Sequence, residues 1–135
     1  MRFFKLEKLV RDKTLERAVR KGATPHSTKL VDDQAFDQAL RIKILEEAQE
    51  VASSTGQDAL CSEIADLLEA ISTLAALHKI SDQEIAAIRA QKNHERGGFG
   101  ERVYATYYEV ANPSEMLGYL LANPNKYPEI EKPGD

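Results

Sequence analysis

Apolar residues recur at three- and four-residue intervals along much of the first hundred positions. Phe36, Leu40, Ile44, Leu45, Ala48, Val51 and Ala52 form one such stripe. Its period is that of a helix with one face on a core, not the two-residue alternation of a strand. Asp32-Asp33 stand just ahead of it, where a capping carboxylate and negative charge are favoured. The helix predicted from there to about Ser54 would be about 33 Å long at 1.5 Å per residue. A second stretch, Gln57 to Lys79, is apolar nearly all round: Leu60, Cys61, Ile64, Leu67, Leu68, Ile71, Leu74, Ala75 and Leu77. That pattern predicts a central, buried helix. Ser81 followed by Glu84 makes a capping box. It starts a third long helix that runs to about Arg96, with Ile85, Ala86 and Ile88 on its apolar side.

The flanks are less periodic. Leu9, Leu15, Ala18 and Val19 predict a short amphipathic helix with Asp12 near its start and Gly22 as its stop. Residues 23–31, with Pro25 and several β-branched side chains, read as extended. After Gly97-Gly98 the run FGERVYATYYEV is aromatic and β-branched, which predicts a strand of about nine residues. Its natural partner is 24–31, in a two-stranded element that needs helix packing or a second subunit. Four prolines (113, 124, 128 and 133) interrupt the end of the chain, leaving room for one short helix from Ser114 to Ala122 and a loose terminus. The expected fold class is mainly α: an antiparallel helical bundle with a short two-stranded β element. Residues 1–111 form the expected functional domain and 112–135 a C-terminal tail.

At 135 residues, 42% hydrophobic and 30% charged, the chain has the size and composition of one globular domain. A lone cysteine, Cys61, cannot close an intramolecular disulfide, and charges interrupt the N-terminal apolar residues where a signal peptide would be uniform. A cytoplasmic protein without a membrane span is expected. The net charge of −4 conceals an asymmetry: residues 1–21 carry eight Lys/Arg against three acids, and residues 32–70 carry ten acids against Arg41 and Lys43. An acidic centre argues against a nucleic acid polymer as partner. Basic groups beside acids suit a small metal-bound polyphosphate, or a solvated basic helix neutralising an acidic one.

The candidate chemistry lies in the two central helices. Glu47 and Glu50 form E-x-x-E, Glu63 and Asp66 form E-x-x-D, and Glu46 and Glu69 stand beside them. Residues three apart share a helix face. The Ser-Ser-Thr-Gly-Gln break and the twelve residues between Glu50 and Glu63 suit an antiparallel hairpin that gathers the four acids. Carboxylates so gathered raise one another's pKa unless a cation sits among them, and oxygen-only donors suit Mg²⁺ or Mn²⁺. Alone, acids on an amphipathic helix are a solvated face; Glu63 and Asp66 on the most apolar helix turn the pattern toward a metal site. A di-iron centre would need Glu-x-x-His, and none of His26, His78 or His94 has a glutamate three residues before it. Zinc spacing and a Walker loop are likewise absent, and His78 and His94 read as structural. Lys92 and Arg96 share one face, fit either to clamp phosphates or to complement a helix C-terminus.

The E-x-x-E and E-x-x-D pairs, the opening KLVRDK (Lys8 to Lys13) and the later K-x-x-x-R-G-G-F (Lys92 to Phe99) together resemble the all-α nucleoside triphosphate pyrophosphohydrolase superfamily. That superfamily includes MazG and phosphoribosyl-ATP pyrophosphohydrolase, and the flanking motifs resemble a small house-cleaning subgroup. The resemblance spans about residues 8–110. Two features depart from it: Thr14-Leu15 follow KLVRDK where the subgroup has Ile-Pro, and the Ser-Tyr-Thr segment of the histidine-biosynthesis enzyme is missing.

What the resemblance implies is Mg²⁺-dependent cleavage between the α- and β-phosphates of a nucleoside triphosphate, giving monophosphate and pyrophosphate, with Mn²⁺ as an alternative ion. Glu47, Glu50, Glu63 and Asp66 would ligate the metal, and Glu46 or Glu50 would accept a proton from water. Lys8, Arg11, Lys13, Lys92 and Arg96 would hold phosphates. A homodimer or homotetramer is implied. The competing expectations are a phosphoribosyl-ATP pyrophosphohydrolase, a non-catalytic helical module that binds a nucleotide or protein, and a plain dimerisation bundle.

Overall fold

Asp32 opens the longest part of the fold: its carboxylate accepts from Ala35 N at 3.0 Å and starts a helix of 21 residues. The computed structural model describes residues 1–134, so Asp135, the last residue of the tail, lies outside it. Five helices occur among the described residues: α1 (Thr14–Arg20), α2 (Asp33–Ser53), α3 (Gln57–Leu77), α4 (Asp82–Arg96) and α5 (Glu115–Leu121). Met1–Gly97 form one compact unit and the segment from Gly98 onward a second, so the division falls at the Gly97-Gly98 pair. No helix is long and apolar enough to cross a membrane among the described residues.

In the first unit α2 and α3 pack as a hairpin. Ser54 and Ser53 tie off the end of α2 by hydroxyl bonds to Val51 O and Gln49 O, both 2.9 Å. Gly56 turns the chain at φ +86°, a backbone region that a side chain disfavours. At the far end, His78, just past α3, bonds Asp37 near the start of α2, so the helices run antiparallel. Leu40 on α2 and Ala70 and Ala75 on α3 are the buried apolar residues. The register that joins Asp37 to His78 sets Leu40 level with Ala75 and Ala70 level with Leu45.

Helix α3 stops in a Schellman turn. Ile80 N bonds Ala75 O at 2.9 Å and Lys79 N bonds Ala76 O at 3.0 Å, with Lys79 at φ +57°. Ser81 and Glu84 then close the capping box of α4, at 3.1 Å and 2.7 Å. No residue of α4 is buried.

The expected two-stranded element is not formed. Residues 24–31 and the 99–110 stretch are without a ladder, and no strand occurs among the described residues. Their β-branched and aromatic side chains favour extended backbone, but that preference stabilises a sheet only when a paired strand and a covering face are present. In the second unit, Ser114 caps α5 through Leu117 N at 3.1 Å, and the Tyr119 and Tyr127 rings pack at a tilt of 52° with centroids 5.8 Å apart.

Asp37 accepts from Arg41 Nε at 2.8 Å as well as from His78, and these two donors, Arg41 first, hold its carboxyl below the usual aspartate range. A depressed carboxyl stabilises the fold above its unfolded-state pKa and ceases to do so as pH falls through the folded-state value. Asp37→Asn is therefore expected to lower the thermal midpoint at pH 7. The difference from the unaltered protein should close only below the ordinary aspartate pKa of about 3.9, as followed by circular dichroism melts across pH.

Candidate metal centre

Three of the four motif acids converge. One carboxylate oxygen from each of Glu47, Glu63 and Asp66 lies within 4.8 Å of the others, across the seam between α2 and α3. Glu47 extends the Leu40–Ile44–Val51 face of α2 into that seam and is 8% exposed. Glu63 and Asp66, one turn apart on α3, are half-buried opposite it. Glu50 is not among them. Three residues on from Glu47 at 100° each, it is rotated about 60° around the helix and is exposed.

Protein cations surround the acids. Lys43 Nζ lies 3.1 Å from Glu47 Oε1 and 3.4 Å from Glu46 Oε2. Lys8 Nζ lies 3.4 Å from the other oxygen of Glu46. Arg11 Nη2 lies 2.8 Å from Asp66 Oδ1. That hydrogen bond is the main reason the Arg11 guanidinium is held above its usual pKa. Two of the three KLVRDK cations, Lys8 and Arg11, therefore reach the acids of the hairpin. Lys13 is the N-cap residue of α1 and is exposed. Lys92 and Arg96 are exposed on α4, and none of these three makes an ion pair among the described residues.

Glu63 is the member without a cation: no ion pair reaches it among the described residues. Its carboxyl is pushed up, first by burial, then by the negative charges of Asp66, Glu50 and Glu47. Such a group is relieved by a positive charge within a few ångströms. Three hard carboxylates with no nitrogen or sulfur donor fit a divalent cation of the Mg²⁺ or Mn²⁺ type better than zinc or copper. Glu47, Glu63 and Asp66 could hold a metal ion.

Lys43 is the participant that the sequence motifs passed over. Its signal was available, because it stands four residues before Glu47 on the same helix. No family model matches the chain, and no curated protein or solved structure matches it.

Glu63 also carries a prediction. A carboxyl whose folded-state pKa is raised costs stability as pH climbs from the unfolded-state value, about 4.3 for glutamate, through the raised one. Glu63→Gln in EDTA is expected to melt higher than the unaltered protein at pH 7 and to lose that advantage in acid. Scanning calorimetry at several pH values checks this; an unchanged or lower midpoint at pH 7 would show that Glu63 is not electrostatically frustrated.

Proposed function

We propose that this chain is a Mg²⁺-dependent nucleoside triphosphate pyrophosphohydrolase of the house-cleaning kind, cytoplasmic and acting as a homodimer or homotetramer. The observation that carries the proposal is the convergence of Glu47, Glu63 and Asp66 within 4.8 Å, with Lys8 and Arg11 seated on acids of the same hairpin. Metal ligands and phosphate-binding cations are the two components that phosphoryl transfer requires. The acids stand on α2 and α3, and Lys8 and Arg11 reach that pair of helices from the chain ahead of α1.

Glu47, Glu63 and Asp66 would hold the ion, which supplies charge neutralisation of the polyphosphate. Glu50 suits the general base better than Glu46. It is exposed, beside the acids and without an ion pair among the described residues, whereas Glu46 is engaged by both Lys8 and Lys43. Glu50 takes a proton from water as the water oxygen bonds to the α-phosphorus. The bond from that phosphorus to the bridging oxygen breaks, and pyrophosphate leaves with the electron pair. Arg11, Lys8 and Lys13 serve the phosphate oxygens, and Lys92 and Arg96 are the further candidates on α4.

Support for a homo-oligomer comes from the apolar surface of the hairpin. Ile42, Leu45 and Leu68 are 66%, 71% and 57% exposed, and side chains of this size exposed together suit burial against a second copy.

Incubation with a panel of nucleoside triphosphates and Mg²⁺ is expected to yield monophosphate and pyrophosphate by chromatography, with loss of product in EDTA. Glu47→Gln and Asp66→Asn should each lower turnover about a hundredfold or more at unchanged helical content. Glu50→Gln should lower turnover as well, yet leave Mn²⁺ binding intact, which separates a base from a ligand. Activity that persists in EDTA, or an Asp66→Asn variant with full turnover, would sink the proposal.

A further inference from the structure

The three-acid centre is already partly neutralised from within. Lys43 holds Glu47 and Arg11 holds Asp66, so three carboxylates face two fixed cations and keep one net negative charge. A divalent ion bound by these acids would stand close to both cations, one of them a guanidinium already bonded to one of its ligands. Like charges this close repel, and the Asp66 oxygen bonded to Arg11 is not free for another cation. A bound ion and these protein cations would compete for the same carboxylates.

The two differ in how they are held. Lys43 is on the same helix as Glu47 and keeps Glu46 as a second partner, 3.4 Å away. Arg11 lies in the irregular chain ahead of α1. The side chains of residues 1–13 reach the hairpin by two hydrogen bonds, Lys8 to Glu46 at 3.4 Å and Arg11 to Asp66 at 2.8 Å. Resting on the metal-centre proposal above, we infer that Arg11 is a built-in competitor of the metal. Its guanidinium occupies Asp66 until a divalent ion takes that carboxylate, and it is then released to bind a phosphate oxygen of the substrate. Arg11 so couples the two ligands. Metal loading frees the phosphate-binding group, and a polyphosphate gives the displaced guanidinium a new partner. By linkage, each ligand then strengthens the binding of the other.

The test measures Mn²⁺ affinity for the full chain without nucleotide, from the electron paramagnetic resonance signal of free Mn²⁺. Arg11→Gln is expected to bind Mn²⁺ about fivefold to a hundredfold more tightly than the unaltered protein, the usual span of a coupling between sites. Arg11→Lys, which keeps the charge but not the planar fork, should fall between them and provides the reading if Arg11→Gln loses helical content. Equal or weaker binding by Arg11→Gln overturns the competition, because Arg11 would then be steadying Asp66 as a ligand. Absence of Mn²⁺ binding from both the unaltered protein and Arg11→Gln overturns the metal centre itself. Binding by the unaltered protein with no gain in the variant overturns only the role given to Arg11.

Discussion

The seam between α2 and α3 holds the principal electrostatic tension in this chain. Helix pairing is driven by apolar burial, yet midway along the seam it forces Glu47 against Glu63 and Asp66. Like charges drawn together in a half-buried groove oppose the contact that creates them. Lys43 and Arg11 answer two of the three, and Glu63, without an ion pair among the described residues, has its carboxyl pushed up. A hairpin without function would gain by replacing these acids with apolar residues. Retaining them makes physical sense where a cation is to be bound.

The same tension explains why the basic N-terminal segment lies where it does. Eight Lys/Arg in the first 21 residues meet an acidic hairpin, and Lys8 and Arg11 are the two that reach it. Among the described residues the buried apolar set is small, Leu40, Ala70 and Ala75, while Ile42, Leu45 and Leu68 remain largely exposed. With so little apolar area buried within the chain, the proposed oligomer would add to its stability.

Local signals placed the helices closely. The Asp32 cap, the Ser81–Glu84 box and the Ser114 cap each start a helix where the pattern put one, because a cap is decided by side chains within three or four residues. The strands failed for the opposite reason. Aromatic and β-branched content at 99–110 expresses a preference for extended backbone, but a ladder depends on a partner distant in sequence, and none is present there. The acids divided in the same way. Glu47, Glu63 and Asp66 were legible as neighbours from helical spacing plus one tight turn, whereas spacing could not decide that Glu50 turns outward while Glu47 turns in.

What the sequence determined by itself was therefore whatever is settled within a turn or two of helix: the helices, their caps, the hairpin break and the acids facing one another. Only the tertiary structure decided the rotation of α2 about its axis, which separates Glu47 from Glu50, and the pairing of Arg11 with Asp66, 55 positions apart. Helix rotation is set by how one whole apolar stripe seats on another. A long-range ion pair depends on where the chain returns, and neither quantity is carried by the spacing of residues along a single helix.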